Sequence, residues 1–340
     1  MTVAPERGKR LDAALDRLLP EEANLPYANF LPVARRPGAA VALHRGRWHA
    51  PDPGPGVLVA RDAGDVPLAA LRLTDRPFES EHLGLPMAKI EQPVGVTEAD
   101  GRGDALDALY DAAFQRLRRA GYEHVAARVS TRDRVAAWSV QERGGFHVDT
   151  QVSWMAALTS QPSDEHLAPP LRIEVLEGDG LGRLDPASWK RLAQWGGRAF
   201  DRGPLVFDRT LPRERTLAVY ETWTERVMRG DWADAVLVAW DGAEIVAFIS
   251  MLRLDDVSEA AGALVCGRGL GATLPEYRGL FTAIQREMIA TRPLGAGFME
   301  NETQVATIGS INVYARLGFR FLRSTSTYHV RPGSSRIPCA

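Results

Sequence analysis

The chain has 340 residues, a length that favours two domains of about 150 to 200 residues, each able to bury a core. It is 45% hydrophobic and 25% charged with a net charge of -2, which excludes a bulk attraction for nucleic acid or an anionic membrane. The opening residues, MTVAPERGKRLDAALDRLL, interrupt their apolar run at Asp12, Asp16 and Arg17 and do not form a signal peptide pattern. No later run approaches the roughly 20 apolar residues that span a bilayer. Cys266 and Cys339 make no disulfide or zinc framework, so a reducing cytoplasm is the expected compartment.

Leu11, Leu15 and Leu18 lie on one helical face, and the stretch from there to about Arg47 is broken by Pro20, Pro26, Pro32 and Pro37. VLVARD, a turn at Ala63-Gly64-Asp65 and PLAALRLTD predict an antiparallel hairpin. PFESEHLGLPMAKIEQPV ends in a further strand. Leu106, Leu109, Tyr110, Ala113 and Leu117 recur at helical spacing, with Asp104 as the expected N-cap and Gly121 beyond the C-terminus. HVAARV is a strand, a helix follows near Arg132 to Arg143, and Gly144-Gly145-Phe146 opens the strand HVDTQVSWMAAL.

Residues 160–170, SQPSDEHLAPP, combine proline with polar residues and predict a linker between a domain at 1–160 and a second at 171–332, with 333–340 as a tail. Asp185-Pro186 can cap and start a helix toward Phe200, and Pro212 another that ends before Gly230. AVLVAW, the Asp241-Gly242 turn and EIVAFISMLRL predict a second hairpin. A strand within Gly262 to Leu274, a helix from about Leu280 to Thr291 and the stretch ENETQVATIGSINVYARLGF complete the pattern. That last stretch reads as a strand, a helix carrying Tyr314, and a Gly318-Phe319 exit. The expected fold is α/β, two domains each with a mixed, mainly antiparallel sheet flanked by helices.

The two halves repeat. A slide of 173 residues lays Val140-Gln141-Glu142-Arg143-Gly144-Gly145-Phe146 on Val313-Tyr314-Ala315-Arg316-Leu317-Gly318-Phe319, with the same order of elements around both. In that register Tyr314 faces Gln141, and the first copy shows no arginine- and glycine-rich loop before its long helix. Chemistry is therefore expected in the second copy.

TIGSINVYARLGFRFL resembles the closing helix and strand of the Gcn5-related N-acetyltransferase (GNAT) superfamily, with Thr307 and Ser310 where asparagine and alanine are common. Together with PFESEHLGLPMAKI, VAARVSTRDRVAAWSVQERGGFHVDTQVSW and YETWTERVMRG, it is similar in layout to the dTDP-4-amino-4,6-dideoxygalactose N-acetyltransferase type, in which a reduced first half precedes the catalytic domain. The resemblance implies a tandem GNAT fold, acetyl-CoA as acyl donor, and a small amine acceptor such as an amino sugar nucleotide or a natural-product intermediate. It also implies that the CoA diphosphate meets a loop at a helix N-terminus, where glycine lets backbone N–H groups approach and the helix dipole favours an anion. The aligned loop is Arg278-Gly279-Leu280-Phe281-Thr282-Ala283, preceded by Leu274, with Phe281 at the usual central glycine. Arg268-Gly269-Leu270-Gly271-Ala272 is a rival loop with better glycines, set before Pro275.

By the same resemblance Tyr314 is the acid for a departing thiolate; read from its residues alone, it is a tyrosine packing on the last strand. Glu300 and Glu302 fall on one side of their strand and could hold an amine or relay its proton, or form a solvated strand end. Asp201, Arg202, Phe207, Asp208, Tyr220 and Trp223 lie where the family builds an acceptor wall, and each also reads as packing or surface. The seven histidines show no metal-ligand spacing, so no metal is expected. Phe281 and Thr307 favour a second reading, a GNAT fold that has lost acyl-CoA chemistry and serves another reaction or acts as a binding subunit. Oligomeric state is left open.

Overall fold

The computed structural model describes residues 1–21, 25–49, 54–96, 101–159, 171–200, 203–267 and 269–332. It contains two compact units, Met1–Gln151 with Arg323–Ala340, and Val152–Leu322. These bounds differ from the expected domains 1–160 and 171–332. The reason is a non-local pairing: Thr325–Val330, at the end of the chain, pair antiparallel with Val125–Ser130 of the N-terminal unit. The expected linker falls on 160–170, outside the described residues.

The N-terminal unit runs β1 (Thr2–Glu6), α1 (Gly8–Glu21), α2 (Leu31–Ala34), α3 (Ala39–His49), β2 (Gly56–Arg61), β3 (Pro67–Asp75), α4 (Pro77–Leu83), β4 (Met87–Ile90), β5 (Val94–Gly95), α5 (Arg102–Arg119), β6 (His124–Ser130), α6 (Arg134–Glu142) and the start of β7 (Phe146–Ala157). The C-terminal unit takes the rest of β7, then β8 (Leu171–Glu177), α7 (Pro186–Ala199), α8 (Pro204–Phe207), α9 (Arg213–Met228), β9 (Ala235–Asp241), β10 (Glu244–Arg253), α10 (Asp255–Ala261), β11 (Val265–Gly267), β12 (Gly271–Thr273), α11 (Leu280–Thr291), β13 (Phe298–Gln304), α12 (Ile308–Arg316) and the first residues of β14 (Arg320–Val330).

In the N-terminal unit the strands follow the order β1, β2, β3, β4, β6, β14, with β5 on β3. The leucines of α1 sit at 0 to 4% exposure, and the apolar stripe of α5 is buried as its spacing predicts. Each such side chain contributes about 1.5–3 kcal/mol by leaving water. Helix α5 begins earlier than expected: Gly101, at φ 85, is the N-cap, and Asp104 falls in the first turn, where a carboxylate suits the helix dipole. In the C-terminal unit the order is β7, β13, β11, β10, β9, β8, with β12 also on β10. Asp185 caps α7 through the Ala187 amide and Pro186 opens it, as expected.

The repeat is present but its register is one residue longer. Helices α6 and α12 each have 9 residues, offset by 174 positions from Arg134 to Ile308. Gly144 and Gly318 both take the left-handed conformation, with φ of 82 and 79. The Gly145 amide bonds Val140 O as the Phe319 amide bonds Tyr314 O, each at 3.0 Å. Tyr314 therefore corresponds to buried Val140, not to Gln141.

Candidate active site

The C-terminal sheet opens between two of its strands. Strand β11 runs parallel to β13 from Val265↔Phe298 to Gly267↔Glu300. A Cβ on Gly267 would meet Glu300 O at 2.3 Å, so only glycine allows this closeness. Beyond it the chain bulges past Ser250, and β12 pairs with β10 through Ala247↔Thr273 and Ile249↔Gly271. Strand β13 continues to Gln304, and among the described residues β12 does not pair with it. A wedge with two backbone edges results.

The bulge disposes of the rival phosphate loop. Ser250 Oγ accepts from the Leu270 amide at 2.8 Å, and the Ser250 amide donates to Leu270 O at 2.7 Å. Gly269 is pressed on β10, its Cβ position 1.9 Å from Ser250 O. These groups hold the sheet together and do not face a ligand; Arg268 lies outside the described residues.

The other loop has the geometry expected of an anion site. Leu274 is buried and its amide donates to Val246 O at 2.9 Å, anchoring the segment to β10. The Tyr277 hydroxyl donates to Asp241 Oδ2 at 2.6 Å, fixing the turn from its other side. Arg278 and Gly279 are exposed, and Gly279, at φ 91, is the N-cap of α11. Nothing lies within 4 Å of a Cβ placed on Gly279. The helix thus presents its positive dipole end beside an exposed guanidinium, while the Leu280 amide donates to Tyr277 O and the Thr282 and Ala283 amides to Gly279 O. Thr282 is half-buried in the first turn and Ala283 buried beneath it. Phe281 does not block the loop; its ring turns toward Gly271, 3.6 Å from a Cβ there, and stands 6.2 Å from the Tyr314 ring.

Tyr314 is 5% exposed on α12, with Phe319 at 5.3 Å and Trp154 of β7 at 6.4 Å between ring centroids. Burial raises its hydroxyl well above the usual phenol range, so it keeps its proton at neutral pH. Thr307 is the N-cap residue of α12, with no side-chain capping bond. On β13, Asn301 Nδ2 donates to Gln285 Oε1 of α11 at 3.1 Å, which assigns Asn301 to the α11 face. Glu300 and Glu302 share the opposite face, as strand alternation predicts. They differ in setting: Glu300 is fully buried at the last paired position, whereas Glu302 is half-buried beyond it and accepts from Ser153 Oγ at 2.9 Å.

The expected acceptor wall is less coherent. Asp201 and Arg202 lie outside the described residues. Phe207 is exposed at the end of α8, and Asp208 is buried, its Oδ1 accepting from the Thr210 amide and hydroxyl at 2.8 and 2.6 Å. Trp223 packs with Tyr220 at 5.1 Å and Trp232 at 6.2 Å, an aromatic cluster on α9 separate from the Tyr314 rings. A groove of about 590 Å³ instead runs between α7, α9 and Leu274–Glu276, with Arg198, Glu214 and Glu221 on its walls and Arg191 paired to Glu276. No motif marks these residues; only packing of α7 on α9 through Gly196 and Gly197 brings them together.

The N-terminal unit has the same wedge and fills it. β4 pairs parallel with β6 up to Ile90↔Ala127, and β5 then turns onto β3. Helix α5 starts at a left-handed glycine, Gly101, as α11 does at Gly279. Arg102 then enters the wedge. Its Nη1 donates to Gly95 O and Val96 O, both at 3.1 Å, and its Nη2 to Asp133 Oδ2 at 2.5 Å. Asp133 stands where the C-terminal unit has Thr307, and Arg102 where it has Leu280. In the N-terminal unit a side chain of the protein occupies the wedge.

No protein-family model matches the chain. A GCN5-related N-acetyltransferase from Sphaerobacter thermophilus matches at TM-score 0.62 and 16% identity, over 99% of this chain and 98% of that one. A tandem GNAT protein from the clavulanic acid biosynthesis pathway matches at TM-score 0.51 and 16% identity, over 98% and 99% of the two chains. The fold is therefore that of a tandem GNAT protein, a mixed α/β architecture in which the sheets are mostly antiparallel. In sequence, the spore coat polysaccharide biosynthesis protein SpsD of Bacillus subtilis is 24% identical over 236 residues, 67% of this chain and 73% of its own length. Among the described residues no helix is long and apolar enough to cross a membrane.

Proposed function

We propose that the chain is an acyl-CoA-dependent N-acyltransferase that transfers acetyl to a small amine, with its chemistry in the C-terminal unit. The observation that carries this is the parting of β12 from β13 beyond Gly267↔Glu300, in a unit that also carries the Gly279 N-terminus of α11 and the proton-bearing Tyr314. The residues present fit the donor: the exposed Arg278 and the open Gly279 at the positive end of α11 would hold its diphosphate, with the Thr282 hydroxyl in the same turn, and the backbone edges of the wedge offer partners to an extended amide chain. Acetyl-CoA supplies an acyl group activated as a thioester. In this reading Glu302 would take, directly or through water, the proton an attacking amine loses as the C–N bond forms. Tyr314, which keeps its proton, would donate to the sulfur as the C–S bond breaks, so the proton balance closes on two side chains. Glu300, fully buried on the same face of β13, would be the second carboxylate of the site.

An amino sugar nucleotide, of the dTDP-amino-dideoxygalactose kind, or a natural-product intermediate is the acceptor class. Support comes from the naming of SpsD for polysaccharide biosynthesis and of the tandem GNAT relative for clavulanic acid biosynthesis. Phe281, at the usual central glycine of the loop and 6.2 Å from the Tyr314 ring, favours the second reading, a retained fold without acyl-CoA chemistry. A thermal-shift titration separates the two, because a ligand that binds the native state raises its apparent stability. A rise in Tm with acetyl-CoA is expected; no shift at millimolar acetyl-CoA establishes the second reading.

A further inference from the structure

The N-terminal sheet turns one face to its core, through Leu71 on β3, Val129 on β6 and Val330 on β14. Side chains alternate along each strand, so Arg72, Lys89, Glu91 and Arg128 belong to the other face. Register places them side by side. The Glu91 amide donates to Arg72 O at 3.0 Å, Arg128 follows directly on the last β4–β6 pair, Ile90↔Ala127, and Thr327 of β14 is opposite Arg128. Arg72, Glu91, Arg128 and Thr327 thus form one row across four strands, with Lys89 in the next. Lys89 Nζ bonds Glu91 Oε1 at 2.6 Å.

This face is cation-rich and withdrawn from solvent. Lys89 keeps 18% side-chain exposure, and burial, with Arg128 and Arg76 nearby, pushes its ammonium down to about 8 despite Glu91. Arg128 is half-buried and its guanidinium, among the described residues, makes no hydrogen bond or ion pair, although Glu91 and Asp149 both lie within its field. Burial pushes the Asp149 carboxyl up to about 6, which makes it a reluctant counter-ion. A guanidinium with five donors and no acceptor, beside a desolvated lysine, is costly to keep in a folded protein. An oxyanion with several acceptor oxygens would give the Arg128 guanidinium acceptors and Lys89 a second partner beside Glu91.

We propose that this row is a binding site for a phosphorylated small molecule, whose phosphate or diphosphate group is held by Arg128 and Lys89. It stands apart from the acyl-transfer reading, which draws on the C-terminal unit alone.

The test is calorimetric titration of the full chain with inorganic pyrophosphate, inorganic phosphate and citrate. Pyrophosphate binding is expected, weakened at least tenfold in Arg128→Gln and in Lys89→Met and retained within about threefold in Arg128→Lys. Arg119→Gln, on the exposed end of α5, should bind like the wild type. Folding is checked by circular dichroism, and Arg128→Lys keeps the test valid if Arg128→Gln does not fold. Unweakened pyrophosphate binding by folded Arg128→Gln and Lys89→Met would overturn the proposal, as would no binding to the wild type at 10 mM or tighter binding of citrate than of pyrophosphate (about 10 mM being the limit of meaningful specific affinity here). Acetyl-CoA titrated into Arg128→Gln separates this site from the wedge: binding unchanged from the wild type is expected, and loss of both ligands together would overturn a distinct site.

Discussion

Arg102→Met tests whether the N-terminal wedge is held by its own side chain. The substitution keeps much of the volume and removes every donor. Arg102 and Asp133 have side-chain exposures of 7% and 3%, so solvent screens their interaction little. Removal strands the Asp133 carboxylate with the Ala136 amide, its N-cap partner at 3.1 Å, and deprives Gly95 O and Val96 O of a donor. Breaking one side of a buried pair costs roughly 3–5 kcal/mol. Arg102→Met/Asp133→Asn should recover part of this, to a loss of about 1–3 kcal/mol, because no charge is left buried and asparagine still caps α6. Urea unfolding of the full chain measures the midpoints, and hydrogen exchange should localise the loss to α5, α6 and Gly95–Val96. A loss under about 1 kcal/mol in the single variant, or a double variant less stable than the single, would refute the reasoning.

Tyr314→Phe should lower kcat by about 10²–10⁴ with a nearly unchanged KM for acetyl-CoA and little change in Tm; unchanged turnover removes the tyrosine from the chemistry. Asp149 has a folded-state pKa of about 6 against an ordinary value of 3.8, so the folded chain binds the extra proton in that window and stability falls as pH rises through it. Asp149→Asn should therefore raise stability at pH 7, by up to about 3 kcal/mol, and flatten the loss between pH 4 and 6, measured by unfolding at each pH. Cys266, buried and raised to about 11, should resist alkylation of the folded chain by iodoacetamide at pH 8, as mass spectrometry would show.

Much of the fold was legible because it is local. The two hairpins, α5, α7, α9, α11 and α12 follow from alternation, helical spacing and the Asp185-Pro186 and Asp241-Gly242 signals. Strand β1 and helices α2, α4 and α10 have fewer residues than periodicity needs, and α3 buries Leu43, His44 and Trp48, a face that a histidine interrupts. The affiliation of β14 with β6 joins residues about 200 positions apart, which no window of sequence can report. The repeat register slipped by one because Gly144-Gly145 offers two candidates for the left-handed position, and only the helix-end hydrogen bonds choose between them. Tyr314 and the Gly279 loop were visible through their motif. Arg102 was not, since an arginine between glycines looks like a turn, nor were Lys89 and Arg128, which lie on separate strands that only register brings side by side.

The central claim is that one wedge is open and the other is filled. Calorimetric titration of the full chain with acetyl-CoA tests it directly. One equivalent bound per chain is predicted, with the same stoichiometry in Tyr314→Phe. Two equivalents per chain, or no heat of binding at millimolar acetyl-CoA, would contradict it.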